Sequence, residues 1–386
     1  MNTFQRSDIS SILNNIAQAL DISDSLFEEA GEKYKAVGAW LGEGNSPLAS
    51  YSPVIFPQGS FGLGTVVKPL GDTDNYDLDL AFQLAITKGQ ITPFDLKRQV
   101  GDRLKAYEMY KRMLKPEGRR CWTLQYADGA RFHMDILPAI PDMDFPTILK
   151  NQGLPVKWAE TSLAITDRTW PTYYVISPDW PRSNPRGFAS WFRGRMIVQY
   201  SELRKQYAEA MKADIAKVPE YKIKTPLQRS VQLLKRNRDI AFAQNPKDQP
   251  ISIIITTLAA NAYNNEPDIL DALMNIVRRM PDYITKQNGK VWIQNPVDPF
   301  ENFADRWEEN PQCERKLRAW LMELEVALGE IIESKDPDKA SRLLETLFGE
   351  NITKAMIQKY METTSTRVNP IYPVVSITHP NKPWGY

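Results

Sequence analysis

The stretch PQGSFGLGTVVKPLGDTDNYDLDLAFQL, residues 57–84, joins a glycine-rich turn to an acidic pair inside an apolar run. Asp77 and Asp79 alternate with leucines, and residues two apart on a strand project from the same face, about 6.5–7 Å apart. Two like charges this close raise each other's pKa, so the pattern favours a cation between them. A solvated sheet face is the alternative, because a lone Asp-x-Asp in a strand is weak evidence of a metal site.

A third carboxylate comes from a later strand, RFHMDILPA, residues 131–139. Asp135 alternates there with apolar residues, and the segment reads as the second strand of a β-hairpin. If this strand lies beside that of Asp77 and Asp79, three carboxylates converge. Such a cluster predicts a site for two Mg²⁺ ions, with Mn²⁺ possible, which would activate a hydroxyl for an in-line phosphoryl displacement.

The turn before the acidic strand predicts a phosphate contact. Gly59 and Ser60 follow the apolar run VIFPQ and read as a strand-to-helix corner. Glycine lets a backbone approach closely, and N–H groups at a helix start can bind phosphate oxygens. An ordinary tight turn is the alternative; the position ahead of Asp-x-Asp is what gives the pair its weight.

Composition narrows the function classes. The 386 residues include 48 Lys plus Arg against 47 Asp plus Glu, so the net charge of +1 disfavours a long polynucleotide substrate. Two cysteines and two histidines argue against a disulfide framework and against a Cys- or His-based metal site. No signal core or membrane-length apolar run is evident, so we expect a cytoplasmic protein without membrane contact.

The chain reads as two lobes of different character. Mixed strands and helices are expected early, including a charged helix over 93–115, and the later part reads as almost wholly helical. We assign 1–165 to a catalytic lobe with an N-terminal helix, 166–187 to a Pro-rich connector, 188–365 to a helical lobe and 366–386 to an extended tail. The expected later helices span 188–214, 226–244, 250–264, 267–285, 299–309, 313–333, 338–347 and 350–361.

Gly-Ser, Asp-x-Asp and a distant third Asp together resemble the signature of the polymerase-β-like nucleotidyltransferase fold. Further segments, HMDILPAI, NPRGFASWF, PLQRSVQLLKRNRD, PISIIITTLAANAY and NPVDPFENFADRW, make the chain similar to the bacterial cGAS/DncV-like nucleotidyltransferases, or CD-NTases. This family makes cyclic oligonucleotide signals in the anti-phage defence systems called CBASS. The resemblance covers roughly residues 50–310 in patches and most of the chain by architecture.

The resemblance implies an α+β fold: a nucleotidyltransferase lobe with a mixed β-sheet, a C-terminal helical lobe like that of oligoadenylate synthetases, and an active site in the cleft between them. It also implies site roles for seven residues: Asp77, Asp79 and Asp135 as catalytic metal ligands, and Gly59, Ser60, Lys235 and Ser252 as nucleotide-binding residues.

The role implied for Lys235 rests on its helix, which is similar to one in the oligoadenylate synthetases. A lysine of that helix reaches the donor phosphates. The alternative for this helix is a solvated face that carries Lys235 together with Arg229, Arg236 and Arg238. Ser252 follows Pro250 as in the first turn of a helix, and its family counterpart lies near the triphosphate.

The function implied is a Mg²⁺-dependent synthase that joins NTPs, ATP among them, into a cyclic di- or trinucleotide second messenger with release of pyrophosphate. Implied partners are an effector that binds the product and regulatory proteins of the defence operon. One alternative is an enzyme of the same superfold that acts on RNA, protein or a small molecule. Another is a non-catalytic nucleotide-binding scaffold, for which loss of a triad carboxylate would be the mark; all three carboxylates are present.

Overall fold

The computed structural model describes residues 4–71, 76–126, 132–212, 214–218 and 220–368. The turn of the expected hairpin and most of the expected tail, 366–386, lie outside these residues. Across the described residues, no helix combines the length and apolar character needed to cross a bilayer.

A mixed sheet forms the centre of the catalytic lobe. Its strand order is β1-β2-β4-β5-β6, and β3 pairs with β4. The β2–β4 pair is parallel and the remaining pairs are antiparallel. The strands are β1 (Val54–Pro57), β2 (Tyr76–Gln83), β3 (Trp122–Gln125), β4 (Phe132–Pro141), β5 (Leu163–Ile165) and β6 (Arg182–Ser183). The predicted hairpin is therefore confirmed as β3–β4, and β6 brings part of the expected connector into the sheet.

Helices surround the sheet and build the second lobe. The first six are α1 (Arg6–Ala19), α2 (Asp24–Gly42), α3 (Gly59–Leu63), α4 (Pro93–Lys105), α5 (Glu108–Met113) and α6 (Phe145–Asn151). The later ones are α7 (Pro185–Ala210), α8 (Pro226–Ala241), α9 (Ser252–Ala262), α10 (Ile269–Arg279), α11 (Gln312–Glu333), α12 (Pro337–Phe348) and α13 (Glu350–Val368). The mixed α+β architecture with a helical second lobe agrees with the prediction.

Two large apolar cores underlie the two lobes. One lies under the sheet and includes Leu78, Leu80 and Ile136. The other joins α8–α12 and also contains the apolar face of α1, for example Ile12 and Ile16. Helix α1 therefore packs with the helical lobe, which corrects the prediction that it belongs with the catalytic lobe; its buried stripe faces α8 and α10 instead of the sheet.

Two helix predictions are wrong. The expected helix over 93–115 is divided into α4 and α5. The expected helix over 299–309 is a strand, β10 (Asp298–Asn302), paired with β9 (Gln294–Asn295) and followed by a short 3₁₀ turn. Asn302 explains the difference, because its side-chain oxygen accepts from the backbone N–H groups of Ile293 and Ala304, both at 2.9 Å. A side chain that satisfies backbone donors competes with a helix. A small hairpin, β7 (Thr285–Gln287) with β8 (Lys290–Trp292), was also not expected.

Candidate active site

The acidic residues lie on one face of the parallel β2–β4 pair. Asp79 stands directly opposite Asp135 in the register, and Asp77 stands opposite His133. In β2 the intervening Leu78 is buried while Asp77 is exposed, so the alternation sends the acids outward and the leucines into the core. The three carboxylates share one face because both strands alternate through these residues and lie side by side in this register.

Burial and mutual repulsion both disfavour the charged forms of Asp77 and Asp79. Burial, with the charges of Asp135 and Asp77 behind it, raises the pKa of Asp79 to about 6. Burial and the charge of Asp135 also raise the pKa of Asp77. The Asp135 carboxylate is oriented by Thr123 on β3, whose hydroxyl donates to Oδ1 at 2.5 Å. Carboxylates held together at such a cost are typical of functional sites.

A sharp corner connects β1 to α3 and lies against Asp79. Gln58 N–H donates to the Asp79 carbonyl at 2.8 Å, which ties the corner to the acidic strand. Gly59 has a φ of +59°, and a Cβ at this position would collide with the Asp79 carboxylate, 3.2 Å from its Cγ. Only glycine fits here, because both the left-handed backbone and the close approach exclude a side chain. The predicted strand-to-helix corner is confirmed.

Lys235 approaches the same place from α8. Its Nζ donates to the carbonyl of Thr65 at 3.1 Å, and the residue is 5% exposed. Burial, reinforced by the nearby charge of Arg238, lowers the pKa of Lys235 to about 7. The charges of Asp239 and Asp79 act in the opposite direction. A buried ammonium whose charge is this poorly compensated would gain from an anionic ligand.

Helix α8 is buried on all sides, so the solvated-face alternative is wrong. Arg229, Arg236 and Arg238 are each less than a tenth exposed. Their guanidinium groups bond to Asp21, to the carbonyl of Lys68 and to the carbonyl of Pro250, respectively. Polar side chains of α8 and of the residue before its N-cap reach the carbonyls of the segment 63–69. These contacts run from Gln228 to Leu63, Lys224 to Gly64, Lys235 to Thr65, Gln232 to Val66 and Arg236 to Lys68.

Ser252 begins α9, as predicted. Its hydroxyl accepts a hydrogen bond from Arg238, which also pairs with Asp239, and the sequence analysis assigned neither of these two residues to the site. Arg238 donates to Ser252 Oγ at 3.1 Å and forms a 2.6 Å ion pair with Asp239. A signal was available, because Lys235, Arg238 and Asp239 are spaced i, i+3 and i+4 and therefore share one helix face.

These elements enclose a cavity of 420 Å³. Six of the seven predicted site residues line it: Gly59, Ser60, Asp77, Asp79, Lys235 and Ser252. Arg238 and Asp239 line it as well. Asp135 is not part of its wall, although it stands beside Asp79 on the neighbouring strand. The pocket therefore offers acids on one side and a lysine on the other, a combination suited to a metal-bound polyphosphate.

Without a bound nucleotide, the residues of the pocket supply only part of the ligand set of a metal ion. In the described ranges, no three Asp, Glu, His or Cys side chains form a ready cation site. Mg²⁺ is usually held by one or two carboxylates together with substrate phosphates, and all-protein cages are uncommon for it. Asp79 with its neighbour Asp77 or Asp135 meets that requirement, and a cation beside Asp79 would offset the burial and repulsion that raise its pKa.

Paired acids on a mixed sheet, facing a Gly-Ser corner and roofed by a helical lobe, define the polymerase-β-like nucleotidyltransferase class. Residues 53–138 match the profile of a family described as "Cyclic GMP-AMP synthase DncV-like, nucleotidyltransferase domain". The chain is 27% identical to a c-di-GMP synthase from Roseivirga ehrenbergii over 367 residues, 94% of this chain and 90% of that protein. It is also 27% identical to the cyclic dinucleotide synthase CdnG of Bradyrhizobium diazoefficiens over 317 residues, 78% of this chain and 71% of that protein.

Solved structures agree on the fold. The structure of Bradyrhizobium diazoefficiens CdnG in complex with GTP superposes with a TM-score of 0.67 at 22% identity, covering 92% of this chain and 99% of that one. Vibrio cholerae DncV with a linear intermediate superposes with a TM-score of 0.54 at 15% identity, covering 91% and 88%. The chain is thus similar to DncV-like nucleotidyltransferases over residues 53–138, and to cyclic dinucleotide synthases over most of its length.

Proposed function

We propose that this protein is a CD-NTase and uses the 420 Å³ pocket to join NTPs, GTP among them, into a cyclic dinucleotide. The observation that carries the proposal is the convergence of Asp79, the Gly59 corner and Lys235 on one pocket. The names of two relatives, a c-di-GMP synthase and a cyclic dinucleotide synthase, support the product class. A signalling role in anti-phage defence follows from the family resemblance and is part of the proposal.

The donor triphosphate would lie between the acids and the lysine. Ser60 and the backbone of the corner bind phosphate oxygens, and Lys235 exchanges its bond to the Thr65 carbonyl for one to a phosphate. Its pKa of about 7 in the free protein would rise with an anion beside it, so nucleotide binding restores the full charge. Arg238 holds the Ser252 hydroxyl toward the same space.

Bond making would take place beside Asp135. A ribose hydroxyl of the acceptor nucleotide attacks the α-phosphorus of the donor, the bond from that phosphorus to the β-phosphate oxygen breaks, and pyrophosphate leaves. Asp135, oriented by Thr123, takes the proton of the hydroxyl. Bound Mg²⁺, held by Asp77, Asp79 and Asp135, would supply charge stabilisation to the attacking and leaving oxygens. A second round on the linear product closes the ring.

The test is a product assay with labelled NTPs and Mg²⁺, followed by phosphatase. The wild-type protein should give a small phosphatase-resistant product, and the double variant Asp77→Asn plus Asp79→Asn should lose at least a thousandfold in rate, since both metal ligands are gone. Asp102→Asn is the matched control, because that side chain is 57% exposed on α4, outside the pocket. Label transferred to RNA or protein, or equal rates in the double variant and the wild type, would refute the proposal.

A further inference from the structure

A second pocket opens directly beside the first. It has a volume of 300 Å³ and shares Gly59, Asp79 and Ile253 with the 420 Å³ pocket. Further walls come from the rest of the β1–α3 corner, from β6 and the start of α7, and from the β9–β10 segment, which carries Asn295 and Glu301. A volume of this size is at the lower end of the range for small-molecule sites. A nucleotide with its phosphates at the Gly59 corner can therefore extend its base into this space.

Glu301 is fixed in that wall by Asn295. The side-chain Nδ2 of Asn295 donates to Glu301 Oε2 at 2.6 Å, and the side-chain Oδ1 of Asn295 accepts from Val297 N–H at 2.9 Å. The second bond sets which way the amide points, so the first bond positions the carboxylate. Within the described residues, Glu301 Oε1 has no hydrogen-bond donor, and it can accept from a ligand in the pocket.

The charge of Glu301 is only partly compensated. Burial raises its pKa, and the charge of Asp298 acts in the same direction, whereas the hydrogen bond from Asn295 and the charge of Arg120 act against it. The neighbouring acid Asp298 has its own cation, since Arg182 binds it at 3.0 Å, whereas no ion pair to Glu301 forms among the residues that the structure describes. A partly buried acid that lacks a cation needs hydrogen-bond donors, and the pocket is where a ligand can bring them.

The geometry points to Glu301 as the residue that selects guanine, an inference that rests on the proposed function. Guanine presents two adjacent donors, N1–H and the 2-amino group, which match the two oxygens of a carboxylate. Adenine and cytosine place a ring acceptor beside their amino group, and uracil flanks its single N–H with carbonyls, so a carboxylate repels them. Phe188 and Phe303 line the same pocket, with their ring centroids 6.3 Å apart, and give the base apolar surfaces to pack on.

The experiment is equilibrium competition by GTP, ITP and ATP against a fluorescent GTP analogue, with Mg²⁺ present. The wild-type protein should bind GTP most tightly, ITP less because inosine lacks the 2-amino group, and ATP least. Glu301→Gln should lower the GTP-over-ATP preference about tenfold, as expected for one two-point contact to a base. Glu309→Gln, which removes the same charge from an exposed position eight residues later, should leave the preference unchanged.

An unchanged GTP-over-ATP ratio in Glu301→Gln, or equal wild-type binding of GTP and ITP, would overturn the inference. Pyrophosphate release by the same proteins separates it from the proposed function. Selective GTP binding without any pyrophosphate release would contradict synthase activity and still support the role of Glu301. Release of pyrophosphate without base selectivity would support synthase activity and contradict the role of Glu301.

Discussion

The acids of β2 and β4 and the bases of α8 are both concentrations of charge inside one protein, and they are treated in opposite ways. Most basic residues of α8 donate to carbonyls of the segment 63–69 or to Asp21, so each has partners within the chain, although Arg236 Nε has none among the described residues. The carboxylates of Asp77 and Asp79 instead face each other and Asp135, and their pKa values are raised. Charges that have partners within the chain stabilise the fold, whereas charges without such partners are available to a ligand.

Lys235 belongs to both groups. It donates to a carbonyl like its neighbours on α8, yet it lines the pocket with the acids, and burial lowers its pKa. The contrast between the two regions can therefore be tested by removing charges one at a time and measuring stability and ligand binding separately.

The largest expected effect on stability concerns Asp79. Its pKa of about 6 in the folded protein exceeds the ordinary 3.8, so its ionisation costs folding free energy that is absent below pH 4 and fully present above pH 6. A shift of about two pKa units corresponds to about 3 kcal/mol. Asp79→Asn should therefore unfold at higher urea concentration than the wild type at pH 8, and the gain should vanish near pH 3.5. A variant that is less stable at pH 8 would show that the carboxylate is compensated within the chain.

The next effect compares two buried lysines. Lys235→Met should weaken NTP binding by about tenfold to a hundredfold, because it removes a charge-assisted bond to phosphate. Lys224 is the matched control, since it is also buried, also has a lowered pKa, and also donates to a carbonyl, that of Gly64. It lies outside the 420 Å³ pocket, so Lys224→Met should change NTP affinity by less than about threefold. Isothermal titration of both variants gives the answer; equal losses would mean that Lys235 only anchors the segment.

The smallest expected effect concerns two glycine-to-alanine variants. They distinguish the strain of a positive φ from the close approach of residue 59 to Asp79. Gly59→Ala and Gly44→Ala both put a side chain at positive φ, +59° and +64°, so in each variant the backbone strain alone should cost about 1–2 kcal/mol of folding free energy. Only at Gly59 does the new Cβ meet Asp79; at Gly44 there is nothing within 4 Å. Pyrophosphate release should therefore fall at least tenfold in Gly59→Ala alone, since a shift of about 1 Å in a catalytic group can cost a hundredfold. Similar rates in the two variants would show that Asp79 tolerates displacement.

Much of the acidic region could be predicted from the sequence because its signal is local. Asp77, Asp79 and Asp135 alternate with buried apolar residues, so period two fixes the face of its own strand on which each acid lies. That β4 pairs with β2 is a non-local contact, which the sequence gives only as a condition. The glycine corner is equally local, since Gly59 and Ser60 sit between an apolar strand and the acidic one.

The contacts of the basic region could not be predicted because its partners are distant in sequence. Arg236 bonds to the carbonyl of Lys68, 168 residues away, and no periodicity in α8 shows this. The segment around Glu301 was given a helix for a similar reason. Its backbone donors are satisfied by the side chain of Asn302, and a propensity argument does not register such a bond.

The most direct test of the central claim is the number of Mn²⁺ ions bound per chain, measured by electron paramagnetic resonance with a non-hydrolysable GTP analogue present. Two bound Mn²⁺ ions per wild-type chain, and none beyond those carried by the nucleotide once Asp77, Asp79 and Asp135 are all changed to Asn, is the predicted result. The same stoichiometry in both proteins would contradict the assignment of these carboxylates as metal ligands.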